Sequence, residues 1–310
     1  MPKPILKWVG GKTQIIEKVI SHFPENINSY HEPFVGGGSV LLKFLEHIDS
    51  GKIKINPSIA MSKNIYAYDA NKWLIMLYSN IKDDVERLIR ECNIIQTEYD
   101  SCQEINGNRT PTCIQEAYLS KESYYYWTRS LFNTERLKET TNPYKTSARL
   151  IFLNKMGFRG LYREGPRGYN VPFGNYKKPR MIDEDNVRCI SRLFNKYNVI
   201  FEHKDFRTSV EHLVEGDFIY CDPPYVPEKA SSFVKYVGGG FGSKDHQELF
   251  RILRGFHTKG IRFLLSNSCS KLVREAFPER EGFVVNEIDA RRAIHSRDPA
   301  SRTLELLIEG

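Results

Sequence analysis

The 310-residue sequence has no apolar run long enough to span a bilayer, and its start, Met1-Pro2-Lys3-Pro4, lacks the hydrophobic segment of a signal peptide. These absences argue against a membrane protein and a secreted one. Its 40% hydrophobic and 27% charged residues are ordinary for a soluble globular protein of one large domain, or of one domain with an insertion. We therefore expect an intracellular protein, in the cytoplasm or the nucleoid.

Cysteine is too scattered to build a site. None of the six cysteines forms a C-x-x-C pair, and no histidine lies at zinc-finger distance from them. This spacing argues against structural zinc and a disulfide framework, and we expect no metal. The formal net charge of +7 permits a polyanionic partner without requiring one.

Residues 217–225 combine a predicted buried strand with an abrupt stop. Phe218–Cys221 is apolar and aromatic, and Asp222-Pro223-Pro224-Tyr225 ends the run. The two prolines donate no ladder hydrogen bonds and hold the backbone extended, so they fix the directions of Asp222 and Tyr225. In an open α/β sheet the carboxyl ends of strands bind ligands. An ordinary turn with a capping aspartate is the alternative.

Two earlier stretches predict a nucleoside-binding edge. Residues 30–42 predict a strand, the glycines Gly36-Gly37-Gly38 and a helix to about Ile48, an arrangement that lets backbone approach a ligand. Residues 65–71 predict a second strand ending at Asp69, which can accept hydrogen bonds from a ribose or cap the following helix.

Gly11-Lys12-Thr13 resembles the end of a phosphate-binding loop. That motif requires a glycine where Leu6 stands, so we exclude a nucleoside triphosphatase. Instead, residues 3–23 are expected to form an extended apolar segment that enters Gly10 and then a helix.

An inserted domain is predicted at residues 81–197, with residues 1–80 and 198–310 forming the domain that carries the sheet. Helical periodicity marks 83–95, and 116–133 is rich in aromatics. From Ser147 to Lys178, cations alternate with aromatics and glycines without a helix or strand period. Nucleic acid needs both, since phosphates attract cations and bases stack on rings. A basic surface hairpin with some core aromatics is the alternative.

The sheet is expected to resume after this domain. Its predicted strands are Val199–Phe206, Phe218–Cys221, Ile261–Ser268 and a closing antiparallel pair, Val284–Ile288 with Thr303–Ile308. A mobile flap is expected at Ala230–Asp245 and a second basic loop at Arg291–Arg297.

Five motifs in this order resemble those of the Dam-like, D12 class DNA adenine-N6 methyltransferases. They are Lys7–Lys12, Glu32–Ser39, Gly157–Gly174, Lys204–Phe206 and Asp222–Tyr225. The resemblance runs from Lys3 to the carboxyl terminus, with only Asp83–Thr146 lacking clear matches. It implies an α/β fold: a Rossmann-like S-adenosylmethionine-dependent methyltransferase sheet with an inserted, mainly helical target-recognition domain. It also implies double-stranded DNA as partner and a monomer, with a weak dimer as the alternative.

The resemblance carries over to individual residues. It implies S-adenosylmethionine as cofactor, held by Trp8, Gly11, Lys12, Phe34, Gly36, Gly38, Ser39, Asp69, Asp205, Phe206 and Asp222. Within that set Asp69 matches the ribose acid, Asp205-Phe206 the pair that holds the adenine, and Lys12 a lysine near the catalytic acid. The implied DNA-binding residues are Lys7, Phe158, Arg159, Leu161, Arg163, Asn170 and Lys177.

The implied catalytic residues are Asp222, Pro223 and Tyr225. An exocyclic amine is a poor nucleophile, so Asp222 and the Pro223 carbonyl are expected to accept its two hydrogens while Tyr225 stacks on an everted adenine. An acid at the first motif position favours adenine N6 in this family. GATC is the favoured site, and CATG is an alternative because Arg159 stands where the family usually has asparagine.

Two alternative functions stay open. One is an RNA or protein amino-methyltransferase, which the transfer of methyl groups to duplex DNA would exclude. The other is a non-catalytic DNA-binding derivative, against which the intact Asp222 and glycines argue.

Overall fold

The computed structural model of the protein describes residues 2–56, 64–138, 142–227, 241–291 and 302–310. The α-helices are α1 (Ile16–Ile20), α2 (Ser39–Asp49), α3 (Lys72–Asp83), α4 (Val85–Asp100), α5 (Ile114–Ala117), α6 (Lys121–Glu135), α7 (Pro143–Met156), α8 (Glu184–Lys196), α9 (Phe206–Ser209), α10 (Ser243–Thr258) and α11 (Lys271–Ala276). The strands are β1 (Asn26–Ile27), β2 (Tyr30–Glu32), β3 (Lys54–Ile55), β4 (Ile65–Asp69), β5 (Glu164–Gly165), β6 (Gly168–Tyr169), β7 (Ile200–His203), β8 (Phe218–Cys221), β9 (Arg262–Ser268), β10 (Val284–Arg291) and β11 (Arg302–Glu309).

The chain divides into two compact units. The helical unit consists mainly of Met1–Gly11 and Lys72–Lys196, and the sheet unit of Lys12–Asn71 and most of the chain from Tyr197 onward. Of the predicted recognition domain, residues 81–197, all but Tyr197 lie in the helical unit, which also includes the first eleven residues. The functional roles assigned to the two domains stay predictions.

The sheet unit is built on a seven-stranded sheet within the described residues, in the order β10-β11-β9-β8-β2-β4-β7. Pairing is parallel from β9 through β8, β2 and β4 to β7, while β11 is antiparallel to both β9 and β10. The predicted α/β class, with a mostly parallel Rossmann-like sheet, is confirmed. The predicted closing antiparallel pair is confirmed as well.

Buried apolar strands hold this sheet together. All four residues of β8 are buried, and Ile219 and Cys221 pack in one cluster with Leu249, Phe263 and Leu306. Burying a Leu or Phe side chain contributes roughly 1.5–3 kcal/mol. The central strand is therefore a rigid support for whatever follows its carboxyl end.

The helical unit is organised around α7. Asn142 caps this helix by accepting a hydrogen bond from the Lys145 N–H, and Pro143 occupies its first turn. Ten of its fourteen residues are buried, so it packs against neighbours on nearly every side. Residues 147–155 lack a helical period and are nevertheless helical, because a helix buried all round needs no polar face; the expectation of a non-helical segment here was wrong.

Two further expectations differ from the structure. The helix predicted within residues 3–23 is confined to the single turn-and-a-half of α1, and the apolar residues before Gly10 form no strand in the described segment 2–56. Ile15, Val19, Ile20 and Phe23 are nevertheless buried. The expected second basic loop and most of the expected flap lie outside the described residues, while Ser243–Asp245 begins α10.

Candidate active site

The carboxyl ends of β8, β2 and β4 lie side by side in the sheet. β2 pairs with β8 on one side and with β4 on the other, all parallel. The chain leaves β2 toward β4 and later returns to β8, so the order of the strands reverses beside β2. Ligands of open α/β sheets bind at such a reversal, outside the carboxyl ends of the strands.

Asp222, the first residue after β8, pairs with a lysine. The Lys12 Nζ atom lies 2.7 Å from Asp222 Oδ1, with the side chains 3% and 18% exposed. Lys12 Nζ also lies 4.9 Å from the centre of the Tyr225 ring. Burial raises the pKa of the Asp222 carboxyl above its usual value, and the charge of Lys12 is the largest influence in the opposite direction. Lys12 thereby favours the ionised form of Asp222.

The segment after Asp222 is tied to the end of β9. The Val226 N–H donates to Asn267 Oδ1 at 3.0 Å, and the Ser268 hydroxyl donates to the Val226 carbonyl at 2.6 Å. Pro223 is buried, and neither proline has an N–H that would need a partner. The orientation of Asp222 and of the Pro223 carbonyl is therefore set by rigid backbone at both ends of the motif.

The turn after β2 approaches the acid at the end of β4. Gly36 and Gly38 have φ angles of +47° and +72°, in the left-handed region that glycine adopts at little cost. The Gly36 N–H donates to Asp69 Oδ2 at 2.9 Å, and the Asn71 N–H donates to Asp69 Oδ1 at 2.8 Å. Burial raises the pKa of Asp69 to about 6, although both hydrogen bonds lower it. The predicted glycine turn and acid therefore meet.

An aromatic cluster completes this region of the sheet unit. Phe34 stacks on Phe206 at 5.6 Å, and Phe241 lies 5.7 Å from Phe34 and 5.5 Å from Phe206. Asp205, next to Phe206, caps α9 by accepting the Arg207 N–H at 2.9 Å and also pairs with the Arg207 guanidinium at 3.0 Å. Its implied contact with the cofactor's adenine stays a prediction.

A hydrogen bond joins the start of α2, just after the glycine turn, to the backbone of Lys12. The Lys12 N–H donates to the Ser39 hydroxyl at 3.3 Å, at the first residue of α2. The remaining two implied cofactor residues, Trp8 and Gly11, belong to the helical unit, where the Gly11 N–H donates to the Trp8 carbonyl at 3.2 Å. Their role in cofactor binding stays a prediction.

In the helical unit, β5 and β6 form a short hairpin with exposed cations. The Arg163 Nε–H donates to Asn170 Oδ1 at 2.6 Å, and both residues are exposed. Tyr169 beside them is fully buried and donates its hydroxyl hydrogen bond to backbone carbonyls. The structure thus contains the surface hairpin with a core aromatic that was the alternative, together with exposed side chains suited to nucleic acid.

The loop before the hairpin carries the other implied DNA contacts. Phe158 is 44% exposed, which is unusual for its size, and Arg159 lies 5.2 Å from the Phe158 ring. Arg159 has a φ of +57°. Asparagine tolerates this left-handed conformation better than arginine, which explains why the implied family pattern has asparagine here. Leu161 is half-buried and Lys177 is exposed.

Asn154, in the buried helix α7, joins this loop to Lys7. Its Oδ1 accepts the Lys7 N–H, and its Nδ2 donates to the carbonyls of Lys7 and Gly160, each at 2.9 Å. Lys7 Nζ in turn lies 5.4 Å from the Tyr176 ring centre. The side-chain amide of Asn154 thereby holds together two segments that are distant in the sequence and are both implied to contact DNA, one at Lys7 and the other at the loop around Gly160.

Asn154→Ala should lower the free energy of unfolding by about 3 kcal/mol, because it removes the partner of one buried and two part-buried backbone groups. Urea unfolding of the whole protein measures this. Asn186 is the matched control, since it binds the N–H and carbonyl of Lys3 in the same way at a more exposed position. An equal loss from Asn186→Ala would show that burial of the Asn154 amide is not what matters.

Sequence reasoning missed several residues of these sites. Glu305 accepts a hydrogen bond from Tyr225, Asn154 donates to the Gly160 carbonyl in the loop before the hairpin, and Glu32 is buried at the end of β2 with its pKa raised by burial. Each is a polar residue within an apolar run, and that contrast was the available signal. None of the helices in the described ranges has both the length and the hydrophobicity of a membrane-spanning segment. Nor do the described side chains include a cluster placed to hold a metal ion.

Comparison with known proteins agrees with this geometry. A family model described as D12 class N6 adenine-specific DNA methyltransferase matches residues 8–294. The chain is 34% identical to the Type II methyltransferase M.MjaIII of Methanocaldococcus jannaschii, over 95% of this chain and 93% of that protein. It is 30% identical to the Type II methyltransferase M1.LlaDCHI of Lactococcus lactis subsp. cremoris (94% and 88% covered) and 27% identical to the DNA adenine methylase of Escherichia coli strain K12 (99% and 94%).

Proposed function

Since the chain belongs to the D12 class N6 adenine-specific DNA methyltransferases, we propose that it transfers the methyl group of S-adenosylmethionine to N6 of an everted adenine in a short palindrome of duplex DNA. GATC is the favoured site and CATG the alternative. The observation that carries the proposal is the Lys12–Asp222 pair beside Tyr225, at the strand end next to the glycine turn.

The residues of the sheet unit fit the proposed cofactor. S-adenosylmethionine supplies an electrophilic methyl group on a positively charged sulfur. A carboxylate has about four acceptor positions, so Asp69 can bind ribose hydroxyls in addition to its two backbone N–H groups. The glycine turn exposes backbone for close approach, and Phe34 and Phe206 offer aromatic surface for an adenine.

Asp222 and Pro223 act on the amine of the target base. The Asp222 carboxylate accepts a hydrogen bond from one N–H of the amine, and the Pro223 carbonyl accepts a hydrogen bond from the other. These two hydrogen bonds make the nitrogen more tetrahedral. Its lone pair is then less conjugated with the ring and points out of the ring plane, where it can attack the methyl group. Asp222 has to be ionised to accept, and Lys12 favours that form.

Tyr225 receives the base that leaves the duplex. Eversion costs a few kcal/mol, and stacking on an aromatic ring recovers about 1–3 kcal/mol. Because the Tyr225 hydroxyl is hydrogen-bonded, the ring is already oriented before the base arrives. Such positioning is the main contribution that this chain makes to the reaction.

Expression of the whole chain in a host that lacks adenine methylation tests the proposal. Sequencing of the host DNA with detection of modified bases should find N6-methyladenine in one palindromic site, and none when Asp222→Ala replaces the wild type. Unmodified DNA would refute the proposal, and methylated RNA or protein in its place would support the amino-methyltransferase alternative.

Arg163→Ala should reduce discrimination at one base pair of the site by about 1–3 kcal/mol, because a guanidinium fork recognises guanine through two hydrogen bonds. The measurement is kcat/KM on oligonucleotides with every single-base change. Arg167, exposed at the tip of the same hairpin, is the control. Arg167→Ala should affect all sites equally, and an unchanged base preference in Arg163→Ala would contradict the proposed contact.

A further inference from the structure

Glu305 lies at the same edge of the sheet as the catalytic motif. It pairs with Ser268 in the antiparallel register of β11 and β9, and β9 is the parallel neighbour of β8. The amino-terminal part of β11 therefore lies beside the carboxyl end of β9, one strand away from the carboxyl end of β8. Glu305 is half-buried, and Leu306, Leu307 and Ile308 after it are fully buried.

The Tyr225 hydroxyl lies within hydrogen-bond distance of Glu305 and Ser266 and also lowers the pKa of Asp222 through a hydrogen bond, but it has only one proton. Glu305 Oε2 lies 2.8 Å from it and Ser266 Oγ 3.3 Å. The shorter bond, to a carboxylate, is the stronger, so the proton is directed to Glu305 and the Ser266 hydroxyl can donate to the tyrosine oxygen. This bond fixes the far end of the ring that is proposed to receive the target base.

Glu305 also completes a chain of charged groups. Lys12 contacts Asp222 and the face of Tyr225, and Tyr225 contacts Glu305. A hydrogen bond from Tyr225 also lowers the pKa of Asp222, and Asp222 in turn raises the pKa of Tyr220 and Cys221 on β8 and of the buried Glu32 on β2. Glu305 raises the pKa of Asp222, the opposite of the effect of Lys12. The chain thus contains one lysine and two carboxyl groups, an arrangement whose negative charge suits a cationic methyl donor.

We propose that Glu305 is a positioning residue for methyl transfer. It holds the Tyr225 ring in place for the everted adenine, and its negative charge offsets the effect of the positive charge of Lys12 on Asp222. This inference rests on the proposed function.

Two substitutions separate the two roles. Glu305→Gln keeps an acceptor for the tyrosine but removes the charge, so the acid limb of the kcat/KM profile should move to lower pH with little change in KM for DNA. Glu305→Ala removes both, and KM for DNA should also rise about tenfold as stacking is weakened. Glu309→Gln, on the same strand and paired with His22, should shift neither quantity.

A purely structural role would lower activity at every pH without moving the acid limb, and that result would overturn the proposal. So would an equal rise in KM for the glutamine and alanine variants.

A second measurement does not depend on activity. Urea unfolding of Tyr225→Phe, Glu305→Ala and the double variant should give a double loss clearly smaller than the sum of the single losses, because each single change breaks the same bond. Additive losses would overturn the inference even in an active enzyme. Non-additive losses in a protein that methylates no DNA would refute the proposed function while leaving the Tyr225–Glu305 contact established.

Discussion

Asp222→Ala is expected to lower the rate of methyl transfer by at least ~10³-fold, the upper range for removal of one fixed hydrogen-bonding group from an active site. The loss should appear in kcat, because the carboxylate is proposed to act on the amine as it becomes nucleophilic and not on the bound duplex. DNA affinity should change little, since the exposed cations of the helical unit, and not Asp222, are proposed to contact the phosphates. Single-turnover transfer of labelled methyl groups and a DNA-binding titration measure the two quantities.

Asp217 provides the control for this prediction. It is buried at the other end of β8, where its carboxylate accepts the Val214 N–H at 3.0 Å. Asp217→Ala should lower stability but keep kcat within severalfold of the wild type. If both variants lost transfer equally, the effect would come from disruption of β8, and Asp222 would have no special role.

The parts of the site that were predictable are encoded locally. The strand and turn at residues 30–38, the strand that ends at Asp69 and the strand that ends at Asp222 each show a change from apolar residues to glycine, proline or acid within a few positions. Because carboxyl ends of parallel strands meet at one edge, three local patterns were enough to predict one site. The register then confirmed that these strands are neighbours.

The rest depends on contacts between distant residues. Tyr225 and Glu305 are 80 positions apart, and Lys7 and Asn154 are 147 apart. No period or spacing relates such pairs. The helix α7 was missed for a related reason: nearly all its residues are buried, so it lacks the alternation of polar and apolar faces from which a helix is predicted. Its Asn142 cap and Pro143 were the local signals that remained.

Lys12→Met should have the second large effect, because it leaves Asp222 without its cation. Breaking a buried ion pair on one side costs about 3–5 kcal/mol, and the partial exposure of Asp222 points to the lower end, about 3 kcal/mol. The pKa of Asp222, already raised by burial, should rise further. Since the ionised carboxylate is the proposed active form, the acid limb of kcat/KM should move to higher pH, opposite to the shift expected for Glu305→Gln.

The same change makes a prediction about stability and pH. A carboxyl whose pKa is higher in the folded than in the unfolded protein binds protons more tightly when folded, so stability falls as pH rises through that window. The difference in the free energy of unfolding between wild type and Lys12→Met should therefore be greatest at neutral pH and become smaller as acid protonates Asp222. Urea unfolding at neutral and mildly acid pH, with the pH profile of kcat/KM, measures both effects.

Lys43→Met is the matched control for Lys12→Met. Lys43 is 7% exposed, close to the 3% of Lys12, and its Nζ atom lies 2.7 Å from a carboxylate oxygen of Glu17. Glu17, however, is 68% exposed, so its carboxylate is solvated by water when the lysine is removed. Its loss should therefore cost less, with no shift of the acid limb. A deficit for Lys12→Met that stayed constant with pH, or an acid limb that did not move, would mean that Lys12 does not govern the charge of Asp222, and the proposed electrostatic role of the pair would fail.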